Sequence, residues 1–264
     1  MIVIKGDGTK EEFSEYKIIK TCMRTGVNRN KAEEIARKIK KSTKDETRTD
    51  KIYRMILKEL DKHSPVSSSM YRLRRSLSEM DSISFEVFFM NILKKFGYKC
   101  EWNKIIAGAA VEHQVDVVAV DSEKKIKYMI ECKHHENTHR YCGLGDVMET
   151  WARLDDINEK NKLFDVAWIV VNTKLSEHAK KYCRYKNMRV TAWNSDEPIE
   201  TLIKKTNVFP ITILNLNNET LQELAMKKIV DTTQIEQNID WLKIKGYENV
   251  IKKYYNFMDI LKQE

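Results

Sequence analysis

The sequence predicts a multidomain α+β and α/β protein. We expect a small helical module with an N-terminal hairpin, then an α/β domain with a central mixed sheet, then a helical C-terminal region. Helical periodicity dominates residues 14–80, short apolar runs alternate with helices over residues 81–194, and amphipathic stripes return after residue 217. The expected segments are therefore 1–80, 81–194 and 195–264.

The charge of the 264-residue chain is unevenly distributed. Residues 1–80 carry 20 Lys and Arg against 12 Asp and Glu, whereas residues 81–264 carry 27 of each, so the net charge of +8 belongs to the first segment. A basic excess indicates an anionic partner, nucleotide or nucleic acid, although lysines on solvated helices would look the same. Five cysteines, no basic leader segment and no apolar run near 20 residues predict a soluble cytoplasmic protein with reduced thiols and no membrane partner.

The first segment begins with a predicted hairpin. Residues 2–4 are apolar and fit a short buried strand, Gly6-Asp7-Gly8 fits a tight turn, and residues 10–13 would return as the second strand. Helices are expected over residues 16–25, 30–41, 49–60 and 67–77, with Asn28 or Asn30 and Thr49 as N-caps. The ammonium groups of Lys5 and Lys17, next to this glycine turn, could neutralise a triphosphate.

A family resemblance is visible in the same residues. The pattern Val3-x-Lys5-x-Asp7-Gly8, then Glu11 and Lys17-Ile18, resembles the ATP-cone, the nucleotide-sensing module of ribonucleotide reductases and their repressors. Residues 70–74 resemble the closing helix of that module. The resemblance implies that Lys5 and Lys17 contact the phosphates of a bound nucleotide. It places Val3 and Glu11 near the nucleoside, and Thr49 and Tyr53, on the third helix, in the lining of the same pocket.

One residue departs from the ATP-cone pattern. The family usually has Arg where Gly6 stands, and this change bears on affinity and on the choice between ATP and dATP. The chain has no G-x-x-x-x-G-K-[ST] phosphate loop. Bound nucleotide is therefore expected to regulate the protein and not to drive a motor.

The second segment has the sequence pattern of an α/β domain. A helix with a broad apolar face is expected over residues 83–96, ended by Gly97. Further strands are expected over residues 99–102, 115–120, 126–132, 166–171 and 189–193, with helices over 145–159 and 176–185. Short apolar strands separated by helices indicate a buried mixed sheet.

Charged residues stand at the ends of these buried strands. Asp116 interrupts the start of one strand, and Glu131 and Lys133 end the next. Side chains alternate along a strand, so Glu131 and Lys133 point the same way and Cys132 points to the other face. Buried charges are costly unless they are paired or bind a metal, and paired carboxylates suit Mg²⁺ or Mn²⁺. Lys133 could then orient or deprotonate an attacking water.

The arrangement Asp116…Glu131-Cys132-Lys133 resembles the PD-(D/E)XK nuclease motif. With Phe85-Glu86 before it and Ser176–Ala179 after it, residues 83–193 look most like Mrr-type restriction endonucleases and their Holliday-junction-resolvase relatives. The resemblance implies catalytic roles for Glu86, Asp116, Glu131 and Lys133, with the three carboxylates as metal ligands. Mrr-type enzymes usually have glycines before the Asp, where this chain has His113-Gln114-Val115, and these residues could alter substrate approach.

A second cluster offers a different metal. Two Cys and three His lie between residues 132 and 142, which raises a zinc site. The spacing fits no standard zinc template, so we favour a buried Cys132 with the histidines on a polar loop. The zinc alternative stays open at this point.

These observations predict a divalent-metal-dependent DNA endonuclease regulated by ATP or dATP. The alternative is a nucleotide-sensing DNA-binding regulator whose nuclease fold does not cleave. The C-terminal segment shows helical stripes over residues 218–230, 233–243 and 247–261, for which we expect packing or homodimer formation.

Overall fold

A computed structural model describes residues 1–262 of the chain. The chain divides into two compact units: Met1–Leu73 together with the chain from Lys252 onward, and Arg74–Ile251. Among the described residues, no helix is long and apolar enough to cross a membrane. The elements up to the division are β1 (Ile2–Ile4), β2 (Lys10–Glu12), α1 (Glu15–Arg24), α2 (Arg29–Ser42), β3 (Thr47–Arg48), α3 (Thr49–His63) and α4 (Pro65–Ser78), within which the division falls.

The first unit is built around a three-stranded sheet in the order β2-β1-β3. The expected hairpin is present, with β1 antiparallel to β2, and β3 adds in parallel on the other side. Its core contains the apolar faces of α1, α2 and α3, packed against Val3. Asn28 caps α2 through a bond from the Lys31 amide, as one of the two alternatives predicted.

The predicted N-cap at Thr49 is wrong. Thr49 is the first residue of α3, and Arg48 precedes it without a side-chain cap bond. The physical reason is β3, a two-residue strand that pairs Thr47 and Arg48 with Val3 and Ile4 and holds the chain extended up to the helix. A pairing over so few residues leaves no periodic signal in the sequence.

The second unit follows α4. Its elements are α5 (Ser82–Lys95), β4 (Lys99–Ala107), β5 (Glu112–Asp121), β6 (Ile126–Lys133), β7 (Tyr141–Cys142), α6 (Leu144–Asn161), β8 (Val166–Val171), β9 (Lys174–Leu175), α7 (Glu177–Tyr185), β10 (Arg189–Ala192), β11 (Glu197–Pro198), α8 (Ile199–Thr206), a 3-10 turn (Ile211–Leu214), α9 (Asn218–Met226), α10 (Thr233–Gln237), α11 (Ile239–Ile244) and α12 (Glu248–Leu261), within which the second division falls.

A mixed six-stranded sheet organises this unit, as the sequence predicts. The strand order is β11-β10-β8-β6-β5-β4, with β4, β5 and β6 antiparallel and β6, β8, β10 and β11 parallel. β8 is almost wholly buried because its continuous apolar run lies between two parallel neighbours. Parallel pairing brings Lys133, at the end of β6, beside Val171, at the end of β8. Lys133 therefore lies at the same end of the sheet as the carboxyl end of β8.

The chain between α4 and α5 is not an exposed linker. α4 continues to Ser78, and Leu77 and Met80 are buried. Asp81 then begins α5 by accepting a hydrogen bond from the Ser84 amide at 2.8 Å.

The C-terminal helices are shorter than their stripes suggest. The predicted helix at 218–230 ends at Met226, and the one at 233–243 is divided at Asn238 into α10 and α11. Between them, buried Asp231 accepts hydrogen bonds from Asn91 of α5 at 2.7 Å and from the Thr233 hydroxyl at 2.6 Å. This polar anchor interrupts the helical run because its backbone bridges to Pro210.

Candidate functional sites

Asp116 and Glu131 lie opposite each other where two strands separate. Pairing of β5 with β6 ends at Val117 and Ile130, and the two carboxylates come one step further along. Asp116 Oδ2 accepts a hydrogen bond from the Cys132 amide at 2.7 Å, so its side chain replaces a backbone acceptor at the split. Both residues are buried, with exposures of 8% and 6%. Burial, followed by repulsion from Glu131, raises the pKa of Asp116 to about 7.

Two cations hold the carboxylate of Glu131. Lys133 Nζ lies 2.8 Å from Oε1, and Arg153 Nη1 of α6 lies 3.0 Å from Oε2. Arg153 also bonds Glu149, one turn before it on α6, and Lys133 Nζ is 3.9 Å from the same glutamate. The result is a four-membered ion network at the carboxyl end of the central strand β6.

Glu149 and Arg153 were missed by sequence reasoning. Their spacing of four residues is the only available signal, and it equally describes a solvated ion pair on a helix surface. Their role depends on how α6 packs over the sheet, which local sequence does not encode.

The protonation of Lys133 follows from the same contacts. Burial disfavours its charge, but the hydrogen bond to Glu131 and the surrounding carboxylates outweigh burial and raise the pKa of Lys133. Lys133 is therefore an ammonium group at neutral pH. As such it can orient a water or a phosphate oxygen, and it has to lose a proton before it can act as a base.

Glu86 is held by a tryptophan from the edge strand. The indole Nε1 of Trp102 on β4 donates to Glu86 Oε2 at 2.9 Å. Burial raises the pKa of Glu86, the indole bond opposes the shift, and repulsion from Glu131 adds to it. Glu86 thus shares an electrostatic neighbourhood with Asp116 and Glu131. Sequence reasoning did not identify Trp102, whose partner lies 16 residues away.

The donor set fits a hard divalent cation in its chemistry. Four carboxylates (Glu86, Asp116, Glu131 and Glu149) stand against two cations (Lys133 and Arg153), a formal charge of −2. Over residues 1–262 no three Asp, Glu, His or Cys side chains converge as a metal cage. Asp116 and Glu86 each use one oxygen for a protein N–H, and within the described chain the other oxygen has no protein donor. Those two oxygens could hold Mg²⁺ or Mn²⁺. The Glu131 carboxylate would join them if its side chain rotated away from Lys133 and Arg153.

The cysteines and histidines between residues 132 and 142 do not converge on one point in the described chain, and the buried ring nitrogen Nε2 of His135 has no hydrogen-bond partner there. Burial raises the pKa of the Cys132 thiol well above its usual range, and the Cys142 thiol donates to Asp146 Oδ2 at 3.3 Å. His134 Nε2 lies 3.0 Å from the Leu77 carbonyl oxygen, and the His135 amide donates to Asn172. In the described part of the chain these side chains form no ligand cluster for the zinc alternative.

The residues before Asp116 contact Asp156 of α6. His113 Nε2 lies 2.7 Å from Asp156 Oδ2, and Asp156 also accepts the amide of Ala110 at 2.7 Å. A Cβ at Gly108 would lie 1.9 Å from Asp156 Oδ2, so only glycine permits this approach. The Gln114 carbonyl accepts a 3.4 Å contact from Arg153. The residues that depart from the glycine-rich pattern therefore lie in β5, and His113 ties the start of this strand to α6 beside the carboxylates.

The first unit brings three of its predicted binding residues together. Glu11 Oε2 lies 3.0 Å from Lys5 Nζ and 2.8 Å from Lys17 Nζ. Burial opposes ionisation, but the two lysine hydrogen bonds outweigh it and lower the pKa of Glu11. Val3 is buried in the core and pairs with Glu11 across the hairpin. Thr49 is half-buried at the start of α3.

Comparisons with known proteins match two successive parts of the chain. A family model described as ATP cone domain matches residues 1–77, and one described as restriction endonuclease matches residues 77–202. An uncharacterized protein of Archaeoglobus fulgidus is 40% identical over 142 residues, which covers 53% of this chain and 78% of the relative. A crystal structure of a protein of unknown function has 30% identity and a TM-score of 0.59, and the match covers 70% of this chain and 100% of that one.

These matches fall on the residues whose geometry is described above. The first spans the two lysines that share Glu11, and the second spans Glu86, the strand-end carboxylates and Lys133. The chain therefore carries an N-terminal ATP cone domain, followed by a restriction endonuclease domain of the Mrr type.

Proposed function

We propose that this protein is a Mg²⁺- or Mn²⁺-dependent endodeoxyribonuclease that hydrolyses phosphodiester bonds in DNA. The observation that carries the proposal is the pair of buried carboxylates, Asp116 and Glu131, at the ends of two separating strands with Lys133 bound to Glu131. Burying this much negative charge is costly, and a bound divalent cation would relieve it.

The roles of the side chains follow from their positions. Glu86, Asp116 and Glu131 would hold the metal, which when bound supplies a Lewis acid for the phosphate and a water of lowered pKa. The Lys133 ammonium orients the attacking water and offsets charge on the phosphate oxygens. Water forms the new bond to phosphorus and loses its proton to solvent, while the bond to the leaving sugar oxygen breaks and that oxygen takes a proton from solvent.

ATP or dATP binding to the first unit would regulate this activity. Two ammonium groups within 3.0 Å of one oxygen of Glu11 form a compact cationic site suited to a triphosphate. The family of the module supports the same ligand.

A plasmid-nicking assay tests the nuclease. Wild type should nick DNA in Mg²⁺ or Mn²⁺ and not in EDTA, and Asp116→Asn should be inactive although it keeps an acceptor for the Cys132 amide. Asp155→Asn, an exposed carboxylate on α6, is the matched control and should retain activity. Equal nicking by wild type and Asp116→Asn would remove the nuclease assignment. Each reaction is run with and without ATP to measure regulation.

The second candidate is a nucleotide-sensing DNA-binding regulator that does not cleave. The observation that favours it is the neutralisation of Glu131 by Lys133 and Arg153, which satisfies this carboxylate without metal. Metal-independent gel shifts of DNA, altered by ATP and accompanied by no nicking under any condition, would select it.

A further inference from the structure

The C-terminal region places a lysine on the tryptophan that holds Glu86. Lys228 Nζ lies 4.0 Å from the centroid of the Trp102 ring. The Nε1 of the same indole donates to Glu86 Oε2 at 2.9 Å. All three residues belong to the second unit, but Lys228 lies well beyond the residues matched as restriction endonuclease, which end at 202.

The backbone that carries Lys228 is fixed by the end of α9. Lys228 has a φ of +59°, its amide donates to the Ala225 carbonyl at 2.8 Å, and its own carbonyl accepts from Gln234 Nε2 at 2.7 Å. The next amide, of Ile229, donates to Leu224 at 2.8 Å. These bonds close the helix in the left-handed turn typical of helix ends. These backbone hydrogen bonds thus fix the position from which the Lys228 side chain extends.

Contact with a cation restrains the indole. An ammonium over the face of Trp is attracted by the negative potential of the ring. Trp102 is therefore held on its face by Lys228 and at its edge by Glu86, which leaves little freedom to rotate. Carboxylates that bind metals are commonly oriented by hydrogen bonds from residues that do not bind the metal themselves, and loss of such a hydrogen-bond donor weakens metal binding.

We propose that Trp102 and Lys228 are positioning residues for Glu86, and that the C-terminal region thereby completes the metal site. The inference rests on the proposed function, because it assigns Glu86 to a divalent cation. Trp102 fixes one oxygen of Glu86 and leaves the other for the metal. Lys228 acts through the ring and contacts neither metal nor carboxylate.

Mn²⁺ titration of the DNA-free full chain, followed by electron paramagnetic resonance of free Mn²⁺, tests the inference. Trp102→Phe keeps an aromatic ring and removes the N–H, and it should weaken Mn²⁺ binding about tenfold. Lys228→Met keeps the side-chain stem and removes the charge, and it should weaken binding about threefold. Lys227→Met is the matched control, because Lys227 lies over Trp241 at 5.9 Å and should leave binding unchanged.

A double variant shows whether Lys228 acts through the Trp102 indole or affects Mn²⁺ binding by another route. If Lys228 acts through the indole N–H, Trp102→Phe with Lys228→Met should bind Mn²⁺ no more weakly than Trp102→Phe alone. Wild-type affinity in Trp102→Phe, with weak binding in Glu86→Gln, overturns the inference and leaves the proposed function standing. Failure of wild type to bind Mn²⁺, or wild-type affinity in Glu86→Gln, overturns the proposed metal site itself. Should Trp102→Phe not fold, Lys228→Met carries the test, and its equality with wild type overturns the role of the C-terminal region.

Discussion

Glu11 and Glu131 each bind two cations, yet they belong to sites of opposite character. Around Glu11 the lysines are accessible, with side-chain exposures of 33% for Lys5 and 64% for Lys17. Around Glu131 the cations are more enclosed, at 21% for Lys133 and 27% for Arg153. The same local contact therefore occurs in an open setting and in a buried one.

The surplus charge differs as well. Glu11, Lys5 and Lys17 sum to a formal charge of +1, whereas the four carboxylates and two cations around Glu131 sum to −2. An open cationic site suits a phosphate-bearing anion, and a buried anionic site suits a divalent cation. The two sites thus differ in the groups that surround a similar ion pair, and we expect those surrounding groups to decide which ligand each site binds.

The largest expected effect comes from removing the charge beside Glu131. Lys133→Met should reduce DNA cleavage about 10³-fold, because the ammonium that orients water and offsets phosphate charge is lost. Mn²⁺ affinity should persist, since Lys133 is not a ligand. Lys127→Met, at the other end of the same strand, is the control. Plasmid nicking and Mn²⁺ titration on the same preparations check both parts, and parallel loss of metal binding would contradict this role.

Stability of the metal-free protein should depend on pH through Asp116. Its folded pKa of about 7 exceeds the usual 3.8, so the folded state binds this proton more tightly, and stability falls as pH rises across that window. Asp116→Asn cannot ionise and should be more stable than wild type at pH 8, by at most about 4 kcal/mol. The difference should shrink as pH falls toward 4. Urea unfolding in EDTA at several pH values measures it, and a pH-independent difference would argue against the buried charge.

Nucleotide binding should weaken by a smaller factor when one lysine is lost. Lys5→Met or Lys17→Met each removes one charge-assisted phosphate contact, so ATP affinity should fall about tenfold. Lys20→Met, an exposed lysine on α1, is the matched control. Calorimetric titration of ATP checks the result, and unchanged affinity in both variants would remove the assigned pocket.

The smallest expected effect has the opposite sign. Glu11→Gln should tighten ATP binding about threefold, because Glu11 competes with phosphate for Lys5 and Lys17. Glu12→Gln, its exposed neighbour, should change nothing. Weaker ATP binding in Glu11→Gln would show instead that Glu11 contacts the nucleoside, as the family resemblance implies.

Local patterns predicted most of the fold. β8 has the bounds expected from its apolar run, and the mixed sheet follows from short apolar strands separated by helices. β4 was expected to end at Trp102 but reaches Ala107, because pairing with β5 extends an edge strand whose exposed residues carry no alternation. α8 was missed, since eight residues give too little periodicity.

Some residues of the candidate site could likewise be predicted from the sequence, and others could not. Asp116, Glu131 and Lys133 could be proposed from sequence because a charge at the end of a buried strand is conspicuous locally. Trp102, Arg153 and Lys228 could not, because each matters only through a contact made by packing of distant elements. The carboxylates could thus be proposed from sequence, whereas the groups that contact them are visible only in the structure.

The central claim is that the two sites select ligands of opposite charge, and a crossed titration tests it most directly. ATP in EDTA and Mn²⁺ without nucleotide are each titrated into wild type, Lys5→Met/Lys17→Met and Asp116→Asn. The lysine variant should lose ATP binding and keep Mn²⁺ binding, and Asp116→Asn should keep ATP binding and lose Mn²⁺ binding. Loss of both ligands in either variant, or of neither in both, would contradict it.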